Sequence, residues 1–148
     1  MISTVRGSCL AQPPRTVFFT MPHRYTKHYT REEVRALLPQ VREWLAQLNQ
    51  LRSDVERYDK RLSGMNSEGQ DVGGETVNKW IRALAGMQAI LADFQHRQIF
   101  IKDLGRGLID FPAIIGGREV FLCWESDEDD VEFWHDLESG YSGREKLD

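Results

Sequence analysis

Long apolar runs are missing from this chain. None approaches the roughly 20 residues that a membrane-spanning helix needs, and those near the start are too short for a secretory signal core. Cysteine is scarce: Cys9 sits in an irregular leader and Cys123 in an apolar run. Two such thiols exclude a disulfide scaffold and predict a reducing, cytoplasmic compartment. No CxxC, HExxH or GxSxG pattern occurs, so no recurrent zinc or nucleophile signature is present. Gly64 and Gly69 have phosphate-loop spacing, but Gln70-Asp71 follows where Lys-Ser/Thr is required. Gly105-Arg106-Gly107 leads into a strand rather than a helix, which rules out a dinucleotide fingerprint. Acids are absent from residues 1–31, which carry Arg6, Arg15, Arg24, Lys27 and Arg31. They crowd instead into residues 125–148, where ten stand against Arg144 and Lys146. With a net charge of −4, nucleic acid is an unpromising partner.

What is present suits one folded domain of ordinary composition, with 41% hydrophobic and 28% charged residues. Residues 1–22, with Pro13 and Pro14 and no apolar period, read as a disordered leader or an over-extended start, Met21 being the natural initiator. Residues 23–148 read as a single α+β domain with an acidic C-terminal end.

Thr30-Arg31-Glu32-Glu33 is a capping box that opens a helix. Val34, Leu37, Val41, Trp44, Leu48, Leu51, Val55, Tyr58 and Leu62 then recur at spacings of three and four, a coiled-coil-like stripe. Pro39 interrupts it and predicts a kink. Residues 63–74 carry turn formers. A second stripe, Val77, Trp80, Leu84, Met87, Leu91 and Phe94, predicts a helix over about 75–97. Two rods of equal length joined by a short loop predict an antiparallel helical hairpin. Two helices alone cannot cover their own apolar stripe. The distal residues Val55, Tyr58, Leu62, Val77 and Trp80 are therefore expected to meet a second copy, forming a homodimer; a long loop or the leader covering the tip is the alternative.

Short β-type runs follow at 99–102, 108–111, 120–124 and 131–135, with turns at Asp103–Gly107 and Gly116-Gly117. Pro112 is expected to end the second run or place it at an edge. Residues 120–124 read as a strand buried on both faces. Residues 125–130 read as a solvent loop, and residues 25–29 as an added edge strand. The expected order is β-α-α-β-β-β-β, a mostly antiparallel sheet packed at the base of the hairpin.

A set of short motifs runs through this frame: Tyr29-Thr30-Arg31-Glu32-Glu33 before Leu37-Leu38-Pro39, then Lys102-Asp103-Leu104 and Gly107-Leu108-Ile109-Asp110-Phe111-Pro112-Ala113. Gly117-Arg118-Glu119-Val120, Cys123-Trp124, Trp134-His135-Asp136 and Gly143-Arg144 complete it. Over residues 25–146 this set resembles a bacterial and archaeal family, domain of unknown function 2203. The resemblance implies no activity, cofactor or partner, and no residue role carries over. Two features depart from the family pattern: His96-Arg97-Gln98 where a glycine commonly ends the second helix, and the acidity of residues 126–130.

Three constellations carry possible chemistry. If the last hairpin turns near Asp129, Cys123 faces His135, and with Asp136, and Asp110 nearby, they offer metal-ligand chemistry. Lys102, Arg106, Arg118 and Arg144, mostly beside glycines, suggest an anion pocket; internal pairing with Asp103, Asp110 and Asp136 is the plainer alternative. Asp103, Asp110, His135 and Asp136 could supply a base and its orienter for hydrolysis, although Asp103 also suits a turn cap. The reading that follows is a non-catalytic interaction or scaffold domain that self-associates through its hairpin. Anion binding or hydrolysis by the Asp/His/Arg set is the alternative.

Overall fold

A computed structural model describes residues 22–67 and 74–148. The leader, apart from Pro22, and residues 68–73 of the connector lie outside the described residues, and so do the expectations about them. In chain order the elements are α1 (Arg31–Ser67), α2 (Glu75–His96), β1 (Phe100–Asp103), β2 (Leu108–Ile115), β3 (Arg118–Trp124), β4 (Phe133–Asp136) and β5 (Glu145–Lys146), with a 3-10 turn at Tyr141–Gly143. The sheet is antiparallel throughout and its spatial order is β1-β2-β3-β4-β5. This is an α+β fold.

α1 begins where the capping box places it. The Glu33 N–H donates to Thr30 Oγ1 at 3.2 Å, and the Thr30 N–H donates back to Glu33 Oε2 at 2.8 Å. The helix continues through Pro39 and reaches Ser67, so residues 63–67 are helical rather than part of the connector. Trp44 stacks on Phe94 at 5.2 Å between centroids, and Leu51 lies against Gly86. The two helices are therefore antiparallel. A Cβ on Gly86 would sit 3.2 Å from Leu51 Cδ1, so the glycine lets the helices approach closely.

α2 ends in a Schellman motif. The Ile99 N–H reaches the Phe94 carbonyl at 2.9 Å and the Gln98 N–H reaches the Gln95 carbonyl at 3.0 Å. The left-handed position falls on Gln98, at φ 55. Glycine ordinarily takes that site, and Gln98 takes it by making its side chain a clasp. Its Oε1 accepts from the N–H groups of Thr26 and Lys27 at 3.1 and 2.8 Å, and from Thr26 Oγ1 at 3.2 Å.

That clasp explains why residues 25–29 form no strand. Their N–H groups go mainly to side chains, and one backbone rung remains, from the Tyr29 N–H to the Pro112 carbonyl at 2.7 Å. Pro112 accordingly does not end β2. It sits mid-strand beyond the end of β1, with its N-substituted edge where no ladder donor is needed. The extra strand lies instead at the far end, where β5 pairs with β4. Gly116 and Gly117, at φ 57 and 77, make the tight turn between β2 and β3. That turn sets Ile115 opposite Arg118.

The sheet has two buried faces. Ile109, Phe111 and Ala113 of β2, with Val120, Leu122 and Trp124 of β3, join Val34, Leu38, Val41, Trp44, Leu48, Ile90 and Phe94 in one core. On the opposite face Leu108, Asp110, Phe121, Cys123 and His135 are also buried. The acidic loop is not merely solvated. Arg31 and Arg35 bind Asp130, and Arg42 donates to the carbonyls of Ser126 and Glu128 at 2.8 and 2.6 Å, fastening the loop to α1.

Candidate functional site

The face of the sheet away from the helices carries the concentrated chemistry. Register places Asp110 of β2 directly opposite Cys123 of β3. Cys123 faces Phe133 on its other side, not His135, which pairs with Phe121 two residues along. The parity is unchanged, so His135 reaches the same spot diagonally. One carboxylate oxygen of Asp110, Cys123 Sγ and one ring nitrogen of His135 lie within 4.8 Å of one another, and all three residues are buried.

His135 is held at both nitrogens. Nδ1 lies 2.7 Å from the Asp136 carbonyl and Nε2 lies 3.1 Å from Asp110 Oδ2. A carbonyl can only accept, so Nδ1 carries a proton and Nε2 is left to share one with the carboxylate. Burial alone would push the imidazole pKa down. The hydrogen bonds to Asp110 and to the Asp136 carbonyl, with the carboxylate charge, outweigh it and raise it above the ordinary histidine value. Asp110 Oδ1 is buried with no hydrogen-bond partner. Burial, the neighbouring Asp110 charge and a weak hydrogen bond to that carboxylate push the Cys123 thiol up to about 12, so it stays protonated near neutrality.

A pocket of about 190 Å³ opens onto this trio, with Lys102, Leu137 and Tyr141 among its other walls. Lys102 Nζ stands 3.8 Å from Asp110 Oδ2 and over the ring of Phe121. Beside the pocket the Tyr141 ring meets two guanidinium groups, Arg106 at 4.3 Å and Arg144 at 4.7 Å. Both lean on Glu125, Arg106 Nε at 2.7 Å and Arg144 Nη1 at 3.7 Å, and Arg144 also pairs with Glu128.

The other residues singled out in the sequence lie apart. Asp136 points to the opposite face from His135 and pairs with Arg118. Asp103 caps its own turn, with Oδ1 accepting from the Arg106 N–H at 3.0 Å. Lys102, Arg106, Arg118 and Arg144 each face a carboxylate; Lys102 lines the pocket and Arg106 and Arg144 flank it through Tyr141, whereas Arg118 stands apart.

A family model described as Uncharacterized conserved protein (DUF2203) matches residues 27–147. The chain belongs to that family. No curated protein and no solved structure matches it. The span matched to DUF2203 contains the whole Asp110–Cys123–His135 trio and both helices.

A second histidine–carboxylate group was not legible in the sequence. Glu119 Oε1 lies 2.7 Å from His28 Nε2 and accepts from the Tyr25 N–H at 2.9 Å, while Oε2 accepts from the Arg24 N–H at 2.7 Å. Burial would raise this carboxyl, but the donors from His28, Tyr25 and Arg24 hold it below the ordinary glutamate value. Its acceptors are engaged, and its work is to pin residues 22–30 over the sheet edge. There Tyr25 packs on Phe100 and Phe121.

The helix pair offers a different kind of surface. Its buried residues stop at Leu48 in α1 and are Ala83, Ile90 and Phe94 in α2. Val55, Tyr58, Leu62, Val77 and Trp80 are all half-buried. Leu91 faces out at 44% exposure, with Ile90 taking the inward position, and Ile81 is 51% exposed.

Proposed function

We propose that the protein is a non-catalytic interaction domain that pairs with a second copy of itself through the distal half of its helix pair. The sheet anchors the base. The observation that carries this reading is the break in burial along the rods. Toward the sheet α1 is sealed; beyond Leu48 the same apolar stripe continues, and among the described residues no third layer lies over it. Helix pairs bury such a stripe against another layer, and two-fold symmetric pairing is the commonest way to supply one.

The rim charges favour an identical partner. Arg52 pairs with Glu56, Asp54 with Arg57 and Glu75 with Lys79, all within one helix. A rim neutralised in this way selects no partner of a single charge sign and tolerates its own copy.

Light scattering on the full chain at micromolar concentration tests the proposal. A dimer is expected, and Ile81→Glu, at an exposed position, should convert it to a folded monomer. A wild-type monomer under those conditions defeats the reading. Dimer loss on removing residues 1–21 would instead make the leader the bridging element.

A second reading, small-ligand binding, is favoured by the pocket over Asp110 and His135. Anion binding draws little support from cations already paired with carboxylates. Hydrolysis by the Asp/His/Arg set draws support only from the Asp110–His135 pair, because Asp103 caps its own turn and Asp136 pairs with Arg118 on the other face.

A further inference from the structure

We infer that Asp110, Cys123 and His135 form a zinc site with one open coordination position facing the pocket. The donors are a carboxylate, a thiol and an imidazole, a set that suits borderline-soft zinc better than magnesium or calcium. They stand on three consecutive strands, β2, β3 and β4, and project from one face. Ligand atoms within 4.8 Å of one another need to close by only about 1 Å for bonds of roughly 2.0–2.3 Å to a common ion.

Two further observations point to a ligand rather than to packing. Asp110 is 2% exposed, yet no N–H or O–H donor reaches its Oδ1, and the protonated Cys123 thiol opposite offers this carboxylate a weak hydrogen bond at most. A buried carboxylate oxygen left unpaired is costly, and a cation in the cluster would satisfy it. His135 is oriented from behind. Its Nδ1–H is held by the Asp136 carbonyl at 2.7 Å, the arrangement that aims the other nitrogen of a metal-ligating histidine. Nε2 now shares a proton with Asp110, and the ion takes that place. Binding therefore releases one proton from the thiol and one from the histidine–aspartate pair, leaving thiolate, neutral imidazole and carboxylate as ligands.

Three protein ligands leave a fourth position for water or a small donor, and the pocket of about 190 Å³ has room for it. Lys102 already supplies positive charge at 3.8 Å from Asp110 Oδ2, and its side chain is 46% exposed. It can withdraw into solvent when the ion enters. The group formed by His23, His28 and Glu119 is unsuited by comparison. Both Glu119 oxygens accept hydrogen bonds there, and His23 is exposed.

The test is cobalt and zinc titration of the full chain after chelator treatment. One cobalt per chain is expected, with a near-ultraviolet thiolate-to-cobalt band that zinc abolishes, and zinc should raise the melting temperature. The band should survive Cys9→Ala and His28→Ala. It should vanish in Cys123→Ala, and Asp110→Asn should weaken binding at least about tenfold. No stoichiometric cobalt, a band that persists without Cys123, or one that depends on Cys9 overturns the proposal. Should Cys123→Ala fail to fold, Cys9→Ala alone decides, because Cys123 is then the one thiol left to give the band.

Discussion

The two faces of the sheet are both buried, but only one of them buries polar groups. Toward the helices, Ile109, Phe111, Ala113, Val120, Leu122 and Trp124 are apolar and closely packed. On the other side the same two strands bury Asp110 and Cys123, and β4 adds His135. The first face is what hydrophobic burial selects, at about 1.5–3 kcal/mol for each large side chain. The second is not, because a buried hydrogen-bonded ion pair is commonly no more stable than well-packed apolar residues. Hydrophobic burial accounts for the first face outright; on the second it accounts for Leu108 and Phe121 but not for Asp110 and His135.

The largest effect belongs to the helix-facing side. Phe111 is fully buried and stacks edge-on against Tyr29 at 5.6 Å. Phe111→Ala should lower the unfolding free energy in urea by about 3–5 kcal/mol. On the other face, Asp110→Leu should lose about 3 kcal/mol by stranding His135. The double variant Asp110→Leu/His135→Leu should recover much of that loss. If the double variant is instead worse than the single one, the pair is there for stability and the contrast between the faces fails.

Glu119 gives a smaller, pH-dependent effect. It projects on the same side as Cys123 and fixes residues 24, 25 and 28. Its folded pKa lies below the ordinary value of 4.5. Its contribution is therefore fully present above that value and is lost as pH falls through the folded pKa. Hydrogen bonds to a charged group suggest about 1.5–3 kcal/mol. Glu119→Gln should destabilise the protein at pH 7 and flatten the acid limb of a stability–pH curve. An acid limb unchanged by the substitution would assign it to other carboxyls, such as Asp130 beside Arg35 and Arg31.

Much of this was readable from local chemistry. The capping box, the period of the first helix and the Gly116-Gly117 turn are short-range signals, and each lies where the sequence places it; in the second helix Ile90 takes the inward position expected of Leu91. The Asp110–Cys123 pair was readable too. A two-residue turn sets Ile115 opposite Arg118, and counting five residues outward along both strands reaches Asp110 and Cys123. Parity likewise separates Asp136 from His135, since neighbours on a strand point to opposite faces. The position of His135 was harder, because the irregular acidic loop between β3 and β4 fixes no register. The helix-facing side of residues 120–124 was hidden for another reason: all five are buried, so alternation carries no signal. The segment 25–29 misled because its β-like composition is overruled by two distant side chains, Glu119 and Gln98.

Gln98 provides the smallest and most discriminating comparison, since it helps close the edge over Phe100 and Phe121. A left-handed backbone costs a non-glycine residue about 1 kcal/mol. Against this, its amide oxygen accepts the three bonds from Thr26 and Lys27, together worth about 1–2 kcal/mol. Gln98→Ala keeps the backbone strain and loses the bonds, so it should destabilise by about 1–2 kcal/mol. Gln98→Gly loses the same bonds but relieves the strain, so it should fall within about 0.5 kcal/mol of wild type. Both variants should speed amide exchange at Thr26 and Lys27, because the clasp is gone in each. Equal stability of the alanine and glycine variants would mean that φ at position 98 relaxes once the amide is removed. The left-handed turn would then be a consequence of the clasp, not a condition of ending α2.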